Sequence, residues 1–170
     1  MTNTAKLPKF PAFNRFACAG DSVEVYIGPL TVRATLQYDE DATLDDDDVH
    51  RTDPDHDVWE GSPPGVYEQA MEAREEYERG GWFYGGVVLS VMIEDTVLDK
   101  HAASLWGMEV NYPTRYDEEG EEFPPNAHLA DVSDEMLDEA LRSASVHVRA
   151  HFSRMRTAFK ALEEVMRDAR

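Results

Sequence analysis

Leu137, Leu141, Ala144, Val148, Phe152, Met155, Phe159, Leu162 and Met166 recur at steps of three and four. Only one face of an α-helix collects such a set. The spacing predicts a long C-terminal helix with Ser133 as its N-cap. Asp134 and Glu135 fall in the first turn, where the helix dipole favours anions, and Arg167 and Arg170 at the end, where it favours cations. Such a helix spans roughly 50 Å at 1.5 Å per residue, longer than a domain of this size needs. It must therefore kink near Ser143 to Ser145 or project. A projecting stripe needs a partner. Self-association along Phe152, Met155, Phe159 and Leu162 is the simplest choice and would make the chain a homodimer.

The rest of the chain predicts what the helix packs on. Val23, Val25 and Ile27, then Leu30, Val32, Ala34, Leu36 and Tyr38, occur with period two on either side of Gly28-Pro29, which reads as a β-hairpin with one buried face. Trp82 to Ile93 is aromatic and β-branched, as expected of a central strand buried on both faces, and Gly85-Gly86 within it suggests a bulge or a close backbone approach. Ala102 to Val110 is its expected antiparallel neighbour, reached through a connection from Glu94 to Lys100. Pro64 to Arg79 reads as a shorter helix stopped by Gly80-Gly81. The fold class expected is α+β: a small, mostly antiparallel sheet of about four strands packed against the long C-terminal helix and the shorter one. Residues 1–170 form a single domain in this reading, with an acidic arm over 39–65 and a second acidic loop over 112–130.

Charge bounds function. Sixteen Lys and Arg face 35 Asp and Glu, a net charge of −19 on 170 residues. That balance argues against direct binding to nucleic acid, whose phosphates demand bases, and against an anionic membrane surface. It favours a basic protein surface as partner, since opposite fields speed encounter. The acids are clustered. Asp39, Glu40, Asp41, Asp45, Asp46, Asp47, Asp48, Asp53, Asp55, Asp57 and Glu60 set eleven carboxylates against the single base Arg51 in one stretch, and Asp117, Glu118, Glu119, Glu121 and Glu122 form another cluster. These are the candidate partner-binding residues. The C-terminal helix, with Arg142, Arg149, Arg154, Arg156, Lys160, Arg167 and Arg170, makes the molecule bipolar; an ordinary solvated face is the plainer account of those bases. The N-terminal residues lack a signal-like apolar run, no segment approaches a membrane span, and Cys18 is the only cysteine. The expected location is the cytoplasm.

Candidate chemistry is sparse. Asp53, Asp55 and Asp57 alternate as at the start of a calcium loop, but Val58 stands where glycine is required and Pro64 where the closing Glu belongs. His147 and His151 share a helix face at metal-ligand spacing, yet Arg149 and Arg154 would repel a dication, so a solvated surface is favoured. Cys18, between alanines, reads as a small buried hydrophobe. No phosphate loop, nucleophile elbow or dinucleotide fingerprint occurs. No catalytic residue, metal or cofactor is therefore assigned, and an enzyme with an acidic metal site stays only as an alternative.

Three strings, FNRFACAGDSVEV from Phe13, GWFYGGVVLSV from Gly81 and ASLWGMEVN from Ala103, resemble segments of small uncharacterised proteins carried by plasmids and phages. The shared cores are W-x-[FY]-x-G-V-V and S-L-W-G-[IM]-E. The resemblance covers about half the chain and transfers no catalytic residue. It implies a mobile-element setting, in which small acidic proteins often inhibit host defence by imitating nucleic acid. Carboxylates along a surface can occupy an Arg/Lys groove built for phosphates. The function expected is thus a non-enzymatic acidic inhibitor that occupies a basic, nucleic-acid-binding surface of a defence complex. The alternative is a self-associating structural or assembly protein of a phage or plasmid.

Overall fold

A computed structural model describes residues 7–42, 44, 66–113, 115–116, 122–123 and 126–168. Four antiparallel strands form a meander in chain order: β1 Ser22–Ile27, β2 Leu30–Tyr38, β3 Phe83–Ile93 and β4 Thr96–Val110. Helix α1 spans Val66–Glu78, and the short pair β5 Arg115–Tyr116 and β6 Glu122–Phe123 precedes helix α2, Ala127–Asp168. The α+β architecture matches the expectation, with the long helix packed on the sheet.

The hairpin turns at Gly28-Pro29, where Gly28 takes a φ of 58° that glycine adopts without strain. Register then places Ala34 beside Leu89, Val32 beside Val91 and Leu36 beside Val87. These residues, all fully buried, meet Leu129, Met136, Leu137, Ala140 and Ala144 of α2. On the other face Glu24 pairs with Arg33 across β1 and β2. Strand β3 is buried along most of its length, on both faces, as its composition predicts.

The paired glycines serve two different contacts. A methyl group at Gly85 would stand 2.8 Å from the Gln37 carbonyl oxygen, and one at Gly86 would collide with the Trp106 ring. The ladder between β3 and β4 breaks register between Gly85 and Val87, and Gly107 on the opposite strand takes a φ of 74°. The bulge expected from the glycines of β3 thus lies in β4, with Trp106 laid over the space Gly86 leaves.

Several boundaries differ from the sequence reading. Strand β4 begins at Thr96, so most of the expected connection is strand, and only Glu94 and Asp95 separate the paired residues Ile93 and Thr96. Helix α2 begins at Ala127, which takes 127–130 out of the second acidic loop and places Ser133 inside the helix. Ser133 is buried, and its hydroxyl donates to the Leu129 carbonyl at 2.7 Å instead of capping. Cys18 is exposed, not buried.

The helix start is organised by two asparagines in the left-handed region, Asn111 with φ 60° and Asn126 with φ 65°. Asparagine tolerates that conformation better than most residues. The Asn111 N–H donates to Asn126 Oδ1 at 2.8 Å, and Asn126 Nδ2 donates to Asn111 Oδ1 and to the carbonyls of Asn14 and Arg15. Asn111 also clasps both backbone groups of Ala17 at 2.8 Å. The Phe10 N–H donates to Asp134 Oδ1 at 2.7 Å. These bonds hold the N-terminal segment so that Phe10, Phe13 and Ala17 complete the core. The expected consequence is that Asn126→Ala costs about 2–4 kcal/mol, because it orphans buried backbone groups and leaves a non-glycine residue at positive φ; urea unfolding measures it.

Ionised Glu24 accepts from the Tyr26 hydroxyl at 2.8 Å and from Arg33 Nε at 2.7 Å. The Tyr26 bond, then Arg33, hold its carboxyl below the ordinary 4.5, and the same bond raises Tyr26. A lowered native pKa contributes stability that is complete above the unfolded value and fades as pH falls through the native one. Glu24→Gln should therefore lower the urea midpoint at neutral pH, and the two proteins should converge as pH falls below the ordinary carboxyl value and through the lowered native one.

Candidate interaction surface

Helix α2 has 42 residues, about 63 Å at 1.5 Å per residue, and only its first half is covered. Its buried side chains end at Ala144. Beyond it, through Arg167, every residue is exposed except the half-buried Val148 and His151. The helix continues as one element through Ser143 and Ser145, and the exposure of its second half makes that half a projecting arm. Ser145 donates its hydroxyl to the Arg142 carbonyl, and Ser143 donates to Asp99 Oδ2 at 2.8 Å.

Asp99 roots the arm. Its Oδ1 accepts the His101 N–H at 3.1 Å, and its Oδ2 receives Ser143 and stands 3.5 Å from His147 Nε2. Ser143 and His147 are one helical turn apart, so one carboxylate grips two successive turns where α2 leaves the sheet. No pattern of spacing marks this grip, because Asp99 lies in the stretch expected to be a connection. His147 therefore faces a carboxylate and not a metal site shared with His151. Among the described residues no group of His, Cys, Asp and Glu is arranged to hold a metal ion.

All four residues expected to mediate self-association lie on the arm and are exposed: Phe152 at 58%, Met155 at 56%, Phe159 at 65% and Leu162 at 61% of their full surface. Val146, Val165 and Met166 are exposed to a similar degree. Phe152, Met155, Arg156, Phe159 and Lys160 line an open apolar groove of about 520 Å³. A contiguous patch of large apolar side chains on a helix without tertiary cover is the usual mark of an interaction site. Arg149, Arg154, Arg156, Lys160 and Arg167 flank it against Glu163, Glu164 and Asp168, so the arm is mildly basic on an acidic molecule.

The candidate acids divide. Asp45, Asp46, Asp47, Asp48, Asp53, Asp55, Asp57 and Glu60, with Asp117, Glu118, Glu119 and Glu121, lie outside the described residues; Glu122 contributes backbone to β6. Glu40 and Asp41 are exposed just after β2. Asp39 does not belong to a contact surface. It is 9% exposed, its Oδ1 accepts the N–H groups of Asp41 and Ala42 at 3.1 and 3.3 Å, and its Oδ2 accepts that of Gly107 at 3.0 Å. One carboxylate thus ties the exit of β2 to the β4 bulge. It heads an acidic run that continues with Glu40 and Asp41, which hides this role from a reading of composition.

Among the described residues no helix is long and apolar enough to cross a membrane. Comparison with known protein families, curated proteins and solved structures returns no match to this chain. Function must be argued from the surface itself. Asp39→Ala should destabilise the fold by about 1–3 kcal/mol, since it strands three backbone donors. The shift should appear in urea unfolding of the isolated protein, with no partner present.

Proposed function

We propose that this chain is a non-enzymatic assembly protein that works by self-association through the arm of α2. One observation carries the reading: the stripe through Phe152, Met155, Phe159 and Leu162 continues the face that packs on the sheet, yet nothing among the described residues covers it. Burying a large apolar side chain is worth roughly 1.5–3 kcal/mol. A stripe of this length on each of two protomers can offset the roughly 4–15 kcal/mol cost of association. An amphipathic helix laid against another is a common way to use such a face.

The net charge of −19 supports a second and compatible reading. The clustered acids, Asp45 to Asp48 above all, would engage a basic protein surface such as a nucleic-acid-binding one, and the resemblance to plasmid- and phage-borne proteins suggests a host defence complex as its owner. Assembly would then present two acidic bodies together and raise avidity for such a target. Replacing Asp45 to Asp48 with Asn should weaken that binding and flatten its salt dependence.

Sedimentation equilibrium tests the assembly reading. The wild type should show a mass above the 19.3 kDa protomer that rises with concentration. Phe152→Asp with Phe159→Asp should stay at protomer mass, while near-ultraviolet circular dichroism of the folded body is unchanged. A wild type that remains a protomer at high micromolar concentration would remove self-association.

A further inference from the structure

We infer that the arm's partner is a second copy of the same arm, laid antiparallel in one particular register; this rests on the assembly reading above. From Val148 the stripe runs Val148, Phe152, Met155, Phe159, Leu162, Met166. The steps alternate four and three without interruption, which is the spacing of a two-helix seam. Residues of the two alternating sets face each other when such helices run antiparallel. One register uses every member: Val148 against Met166, Phe152 against Leu162 and Met155 against Phe159, each pair occurring twice about a two-fold axis. A slip of one heptad either way leaves Leu162 and Met166, or Val148 and Phe152, without a facing residue.

Charge selects the direction. Along one flank of the seam lie Arg149, Arg156 and Glu163, and the antiparallel register sets Arg149 of each arm opposite Glu163 of the other. Arg156 meets its own copy at the axis, a like-charge contact that two long, solvated side chains can spread apart. Along the other flank Ala158 meets Ala158, small enough for close approach, and the exposed Val165 lies by His151. A parallel pair would instead put His151 by Arg156 and Ala158 by Glu163, with no complementary ion pair. It would also hold two bodies, from chains of net charge −19 each, side by side. The antiparallel pair separates them by an arm overlap of about 30 Å, well beyond the screening length of about 8 Å at physiological salt.

The register also matches where the arm leaves the body. Val148 is the first stripe residue past the Asp99, Ser143 and His147 root, and Met166 of the second copy faces it. The seam is therefore confined to the part of α2 that lies beyond the root.

Charge reversal and cross-linking test the register on the full chain. Arg149→Glu should weaken dimerisation about tenfold or more by sedimentation, and Arg149→Glu with Glu163→Arg should restore it. In a Cys18→Ser background, Ala158→Cys should form a disulfide dimer on mild oxidation, because that position meets itself only at the antiparallel axis. Arg149 and Ala158 are exposed, so neither change threatens the fold. A wild-type dimer that ignores Arg149→Glu and fails to cross-link at 158 would overturn the register while leaving self-assembly intact. A wild type that does not associate at all would overturn both.

Discussion

A helix can bury only as much of its apolar face as the sheet beneath it is long. Strand β3 has 11 residues and extends about 36 Å, whereas α2 extends about 63 Å. The sheet covers α2 from Leu129 to Ala144, and among the described residues nothing buries the remainder. A helix that keeps its apolar periodicity past the end of its support must find another surface or carry that face in water. Every functional argument for this molecule begins from that mismatch.

The body is built to hold the mismatch in place. Asn111 and Asn126 fix where α2 begins, and Asp99 fixes where it departs, so the direction of the arm is set at both ends of the packed half. Asp134 and the asparagine pair fasten the N-terminal segment across the core, which adds Phe10, Phe13 and Ala17 to the surface that α2 packs on. Asp39 performs a comparable service for the far end of the sheet by tying β2 to the bulge in β4. Asp99 acts mainly on side chains, whereas the asparagines, Asp134 and Asp39 satisfy part-buried backbone groups.

What was legible in the sequence was what periodicity reports. The hairpin, the central strand and the long helix each carry a pattern of two or of three and four, and the exposed stripe is the same pattern continued. The N-terminal segment has no period and two prolines; its order comes from bonds to residues 94 to 124 positions away, which local spacing cannot show. Ser133 looks like a cap because serine before two acids usually is one, but Asn126 opens the helix about two turns earlier. Asp39 and Asp99 were lost for opposite reasons, one inside a run of acids and the other inside an apparent connection. Composition says how many carboxylates a surface has and not which of them are committed to the backbone.

The central claim is that the arm from Val148 to Met166 is covered by a second arm. Hydrogen exchange of these amides across a dilution series tests it most directly. Self-association requires protection in this segment that grows with protein concentration, while protection in β2 and β3 stays constant. Protection in the arm that is the same at every concentration would contradict it.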